Sequence, residues 1–441
     1  MRLEWPISKL SECAAFQEGY VNPSQTVAAY FGDEIKWLRA VDLNDGYVFE
    51  TSRRLSKAGF ESAGKSALLF EPNTLAISKS GTIGRLGILR DRMCGNRAVI
   101  NVKVDEGKCN TRFIFYILLI NRPTIENLAI GSVQKNLYTS ALGKLEFRLP
   151  PKPTQDEIAN ILGTLDDKIE LNRRMNETLE AIARAIFKSW FVDFDPVRAK
   201  ASGEPPESIC RRLGLTPDLL ALFPDRLIDS ELGEIPEGWA TASLYEMATY
   251  INGAAYSAFE PNEVQKGLPI IKIAELKAGV TAQTKYSDVE MPEKYRINRG
   301  DILFSWSGNP DTSIDTFVWT NGPAWLNQHI FRVVPPSELE RSFVLAMLKY
   351  LRPIFAEIAR NKQTTGLGHV TVSDLKRLKC VKPPKSLLVS WNEVIGPILE
   401  RAFLSGLETQ TLANHRDTLL PQLLSGELRV PETESSLEAM T

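Results

Sequence analysis

Residues Gly59-Phe-Glu-Ser-Ala-Gly64-Lys65-Ser66 have the spacing of a phosphate-binding loop, in which backbone amides, a lysine and a hydroxyl grip a nucleotide. The setting does not suit that chemistry. A working loop follows a buried strand and opens a helix, whereas Thr51-Ser-Arg-Arg-Leu-Ser-Lys57 precedes this one and Pro72 would cut the next helix short. No apolar strand ending in Asp offers to hold magnesium, so Lys65 reads as a phosphate contact or a solvated loop residue. Glu34-Ile-Lys36 and Glu275-Leu-Lys277 echo the Glu-x-Lys of nucleases but lack a suitably placed upstream acidic ligand. His329, His369 and His415 are isolated in sequence, which argues against a metal cluster. Cys13, Cys94, Cys109, Cys210 and Cys380 are far apart with no Cys-x-x-Cys pair, as expected of reduced structural thiols. With no Asn-Pro-Pro-aromatic sequence and no glycine-rich cofactor fingerprint, the expectation is a chain with no active site, cofactor or metal of its own.

What remains are polar, basic, glycine-bearing loops suited to phosphates and base edges. Ser78, Lys79, Ser80, Gly81, Thr82 and Arg85 follow an apolar run; the small residues allow close backbone approach, and Lys79 and Arg85 can meet phosphate or guanine. Ser305, Trp306, Ser307 and Asn309 stand in a similar segment further on. A second matched pair is Gln134, Lys135 and Asn136 against Gln363, Thr364, Thr365 and His369, whose amides can read adenine. Arg53, Arg54 and Lys57 add a basic cluster. The formal charge of −2 hides an uneven distribution: residues 1–152 carry +6 and 235–385 carry +3, while 153–234 carry −6 and 386–441 carry −5. Mild basicity therefore falls where those loops are.

These loops recur because the chain repeats itself at an offset of about 233 residues. Trp5 to Leu10 matches Trp239 to Leu244; Arg39, Asp42, Leu43 and Gly46 fall on Lys272, Glu275, Leu276 and Gly279; Ser140, Leu142, Leu145, Pro150 and Pro151 fall on Ser373, Leu375, Leu378, Pro383 and Pro384. Leu75 to Gly81 matches Ile302 to Gly308 at a slightly shorter offset, each a buried strand running into a Ser/Gly turn. After each double proline the pattern becomes helical. Ile158, Leu162, Leu165, Ile169, Asn172, Asn176, Leu179, Ala183, Ile186 and Trp190 step by four and three, as do Trp391, Ile395, Ile398, Ala402, Ser405, Thr409, Leu412, Arg416, Leu419 and Leu423. Both seams are apolar at the ends and polar in the middle. Such a seam needs a partner helix, and antiparallel pairing of one with the other brings the polar centres together.

The division predicted is a first globular domain at 1–152, a helix at 153–192, an extended Pro/Gly/acidic connector at 193–233, a second globular domain at 234–385, a helix at 386–426 and a tail at 427–441. The fold class is α+β: two homologous mixed α/β domains separated by two long antiparallel coiled-coil helices about a pseudo-two-fold axis. No apolar run approaches the roughly 18 residues of a membrane span, and Met1-Arg2-Leu3-Glu4-Trp5 lacks a signal-peptide pattern, so a cytoplasmic location is expected.

Leu149-Pro-Pro151, Gln155-Asp-Glu-Ile-Ala159, Leu165-Asp-Asp-Lys-Ile169, Ile186-Phe-Lys-Ser-Trp-Phe-Val-Asp-Phe194, Leu232-Gly-Glu-Ile-Pro-Glu-Gly-Trp239 and Leu419-Leu-Pro-Gln-Leu-Leu-Ser-Gly426 together closely resemble the DNA-specificity (S) subunit of type I restriction–modification enzymes, over nearly all of the chain. The resemblance implies two target-recognition domains, each reading one half of a split duplex site, and helices that set the spacer. It further implies docking of two methyltransferase subunits that bind S-adenosylmethionine, and restriction subunits that use ATP and Mg. Recognition domains of that family vary greatly, so the loop residues above rest on their own chemistry. A P-loop enzyme and a coiled-coil adapter that ignores DNA are the rival readings; nucleotide binding would reveal the first, and absence of a split methylation motif the second.

Overall fold

The computed structural model describes residues 5–131, 135–363 and 367–429. The chain divides into two compact units, Met1–Leu171 with Thr411–Thr441 and Asn172–Gln410.

In the first unit, Leu75–Ser78 and Leu86–Leu89 are fully buried strands, as their continuous apolar runs require. They lie inside a sheet ordered Ala14–Glu18, Val99–Val104, Leu75–Ser78, Leu86–Leu89, Gly46–Val48, antiparallel except for the last pairing. The helix Thr111–Ile120, capped by the Asn110 side chain accepting from the Phe113 amide (3.1 Å), buries Phe113 to Leu118 in the same core. A smaller sheet is ordered Arg54–Leu55, Phe31–Leu38, Met93–Gly95, Leu69–Phe70. Ile7–Lys9 pairs with Glu146–Arg148, tying the start of the unit to the strand before the double proline.

The second unit repeats this plan. Its main sheet is ordered Thr249–Asn252, Ile330–Val334, Ile302–Ser305, Asp315–Val318, and its smaller one Tyr286–Ser287, Leu268–Ile271, Ala324–Leu326, Arg296–Ile297. The helix Glu338–Tyr350 takes the place of Thr111–Ile120, and Ala240–Ser243 pairs with Lys379–Lys382.

Immediately after each double proline a long helix begins, Lys152–Phe191 and Lys385–Ser425, here called the central and distal helices. Every seam position is buried or half-buried. Within the first unit, Ile158 and Leu162 of the central helix share a core with Leu420, Leu423 and Leu424 of the distal helix. Within the second, Asn172 donates to Glu408 (2.9 Å), and Phe187, Trp190 and Phe191 surround Trp391. Residue numbers rise along one helix as they fall along the other, so the pairing is antiparallel in each unit. The polar centre is a real desolvated cluster: Asn172 and Ser405 are buried, and Asn172 Oδ1, Asn176 Oδ1 and Ser405 Oγ have no partner among the described residues. Buried polar atoms of that kind lower stability while penalising slipped registers.

The segment 193–233 is a correction to the sequence reading. It is folded rather than extended, into the helices Asp195–Ala201, Pro206–Leu213 and Pro217–Ala221 and the hairpin Leu227–Ser230 with Gly233–Pro236. Pro196, Pro206 and Pro217 start helices instead of breaking structure, since a proline in the first turn gives up no hydrogen bond. Val197, Ile209, Leu215, Leu220 and Phe223 are buried in the core of the second unit.

Candidate nucleic-acid interface

The structure brings together, in each unit, the two loops that the sequence pairs. In the first unit the Lys79 carbonyl accepts from the Leu137 amide (2.8 Å), and Ser80 bridges Asn136 as an antiparallel neighbour. In the second, the Trp306 carbonyl accepts from the Val370 amide (2.8 Å), and Ser307 and Gly308 pair with His369 and Gly368. Backbone amides and carbonyls make both seams, so the side chains differ freely while the frame stays the same.

Within that frame some candidates are structural. Ser78 is fully buried; its hydroxyl donates to the Thr82 carbonyl (2.6 Å) and accepts from the Arg85 amide (2.9 Å), closing the turn that displays Gly81, Thr82 and Arg85 to solvent. Gly81 has φ +73°, a conformation that suits glycine. Ser305 is likewise buried. Asn309 folds its own loop, its side-chain oxygen accepting from the Asp311 and Thr312 amides (2.9 and 3.2 Å). Lys79 is tied to Glu18 (2.5 Å) and mostly covered, so its charge is spent inside the protein. Trp306 donates its indole N–H to Asn252 (3.1 Å) and lies against His329, ring centres 5.6 Å apart.

The basic cluster at Arg53, Arg54 and Lys57 does not converge on one open face. Arg53 bonds Gln25 (2.5 Å) and stacks on Phe31, Arg54 pairs with Glu50 (2.7 Å), and exposed Lys57 stands 3.8 Å from Glu61. Lys135 and Gln363 are exposed and His369 half-buried, whereas Gln134, Thr364 and Thr365 lie outside the described residues.

Sequence reasoning missed a third loop that completes the cluster. Gly95-Asn96-Arg97-Ala98 and Leu326-Asn327-Gln328-His329 follow a strand of the smaller sheet in each unit, and the Ala98 and His329 carbonyls accept from the Lys79 and Trp306 amides (2.8 and 3.3 Å). The signal was the recurrence of a strand, an Asn and a polar residue at an offset of 231.

The phosphate-loop spacing has no such frame. Gly59 lies inside the short helix Lys57–Glu61, where an added Cβ would collide with the Tyr30 carbonyl, and Gly64–Ser66 form a single tight turn. Neither gives the strand–loop–helix cradle that phosphate needs. Burial pushes the Cys94 thiol up to about 12, and burial together with neighbouring Cys13 does the same to Cys109, away from nucleophile behaviour. Among the described residues no group of His, Cys, Asp or Glu could hold a metal ion, and no helix is long and apolar enough to cross a membrane.

The Asp166-Asp167 pair anchors the first globular portion to both helices. Asp166 accepts from the Tyr116 hydroxyl (2.5 Å) and from Arg416 of the distal helix (2.8 Å); Asp167 accepts from Tyr47 and, through both terminal nitrogens at 3.1 Å, from Arg112. Burial works against the Arg416 charge, but Asp166 and Asp417 more than offset it and hold its pKa above the ordinary arginine value. In the second unit Lys349 reaches Glu180 of the central helix (2.6 Å). Replacing Asp166 by Ala should cost about 2–3 kcal/mol, the range for lost charged hydrogen bonds. Adding Arg416→Ala to it should cost less than Arg416→Ala alone, measured by denaturant unfolding; strictly additive losses would show that the two do not act together.

Comparison with known proteins fits this geometry. The sequence model for the type I restriction modification DNA specificity domain matches twice, over residues 3–181 and 236–413. The HindI specificity subunit of Haemophilus influenzae is 27% identical over 355 residues, spanning 72% of this chain and 77% of its own. The MjaIX specificity subunit of Methanocaldococcus jannaschii is 24% identical over 445 residues, spanning 97% and 94%. A solved S subunit from the M. genitalium type I system shares the fold at TM-score 0.52 and 16% identity, over 97% of this chain and 96% of that one. Two copies of the domain, built as two copies of one loop frame, make the chain a member of the type I restriction–modification DNA specificity family, a non-catalytic subunit that recognises DNA by sequence.

Proposed function

We propose that each globular portion reads one half of a bipartite duplex site and that the paired helices set the number of base pairs between the halves. One observation carries the reading: the same loop frame occurs twice, with different side chains at corresponding places, as two readers of different sequences require. Phosphate contacts supply affinity, and each good bidentate base contact adds roughly 1–3 kcal/mol of discrimination. Exposed Arg85 and Lys135 suit the first role, and Asn136, Gln363 and His369 the second. In this reading the chain works in the cytoplasm as a scaffold. Two methyltransferase subunits dock on it and carry S-adenosylmethionine, and restriction subunits carry ATP and Mg.

Sequencing methylated bases in cells that carry this chain with its partner subunits tests the reading. A split motif is expected. Exchanging residues 1–152 for the corresponding part of another specificity subunit should then rewrite one half and leave the other. A motif without a gap, or two altered halves, would refute it.

A further inference from the structure

The third loop is closely matched between the two units. The Asn96 amide donates to Leu38 (2.9 Å) as Asn327 does to Ile271 (3.1 Å), and Val99 donates to Asn96 as Ile330 does to Asn327, both at 3.2 Å. The Gly19 amide donates to Val99 (2.9 Å) as Gly253 does to Ile330 (3.2 Å), and a Cβ on either glycine would collide with the Asn96 or Asn327 carbonyl. With the bonds from Lys79 and Trp306, four backbone hydrogen bonds and one glycine contact hold each loop in the same form. The residues after the two asparagines, Arg97 and Gln328, therefore share one address in two modules.

Their chemistry differs in a way that matters for DNA. Arg97 is exposed, and among the described residues its guanidinium has no ion-pair partner, whereas nearby Lys79 is neutralised by Glu18. A free guanidinium offers two parallel donors, the complement of guanine O6 and N7. Gln328 offers a carboxamide, the complement of adenine N6 and N7. Its nitrogen stands 3.3 Å from His329 Nε2, and that ring rests on Trp306, which limits the amide's rotation.

We propose that Arg97 and Gln328 are specificity-determining residues, reading a guanine in one half-site and an adenine at the corresponding place in the other. The inference rests on the two-module reading above. It goes further by naming the bases and the atoms that read them.

The test uses the chain assembled with its methyltransferase subunits. In methylation sequencing, Arg97→Gln should change or relax one guanine in one half, and Gln328→Arg one adenine in the other, with the remaining positions unchanged. At the altered base, discrimination should fall about 10- to 100-fold, the span of one bidentate contact. A second measurement keeps the wild-type protein: duplexes carrying 7-deazaguanine or 7-deazaadenine, one position at a time, should each show one half-site position where binding drops several-fold, and the Arg97→Gln protein should no longer respond to the first. Retention of the wild-type motif by both variants overturns the assignment while a split motif still supports the two modules; so does a site with no N7-sensitive guanine in one half or no N7-sensitive adenine in the other. A wild-type motif without a gap overturns both.

Discussion

Deleting residues 173–179 from the central helix and 406–412 from the distal helix should shorten the spacer of the recognised site by about three base pairs and leave both half-site sequences as they were. A heptad removed from each helix keeps the seam in phase, because Asn172 is then followed at the next seam step by Ala183, and Ser405 by Arg416. The loss in length is about 10 Å at 1.5 Å per residue, and duplex DNA rises about 3.4 Å per base pair. At the original site the assembly should fall to background methylation, since both modules could no longer engage together. Methylation sequencing reads both outcomes at once. An unchanged spacer in a folded variant would remove the helices from any measuring role.

The second large effect concerns Trp391. It is fully buried at the start of the distal helix, with Phe187, Trp190 and Phe191 ring centres 5.8, 5.7 and 5.0 Å away. Cutting it to Ala empties the centre of the aromatic cluster that joins both helices to the second globular portion, and should cost about 3–5 kcal/mol. In a unit of this size that lowers the melting temperature by on the order of 10 °C. The indole N–H has no partner among the described residues, so Trp391→Phe should restore most of the loss because it returns ring area and gives up no hydrogen bond. Calorimetry separates these variants. If Trp391→Ala melted within about 2 °C of the parent, the cluster would not be what holds this end of the pair.

Sequence periodicity was enough for the helices. A seam stepping by four and three over thirty-odd residues has one efficient burial mode, another helix, and related halves set about a pseudo-two-fold axis run antiparallel, which brings the polar middles at Asn172, Asn176, Ser405 and Thr409 together. The internal repeat made the two globular portions legible as one fold used twice, because buried strands such as Leu75–Ser78 and Ile302–Ser305 keep their apolar character at nearly fixed spacing. The connector was misread because composition records Pro and Gly but not where they fall in a helix. Prolines at first turns and glycines at helix ends fit, and the apolar residues between them then found a core.

Tertiary structure alone decided which candidate residues are available. Lys79 and Arg53 look like phosphate ligands in a linear sequence, but a carboxylate and an amide distant along the chain come within bonding distance and occupy them. Arg97 and Gln328 carried little local signal. Their importance comes from strands closing beside them and from matched backbone hydrogen bonds, and hydrogen bonds between segments far apart in sequence depend on how the chain returns on itself. What the residues settled unaided was the architecture, since burial of periodic apolar surface is a local demand; what they left to the fold was the reading face, because exposure and free charge belong to neighbours brought in from elsewhere.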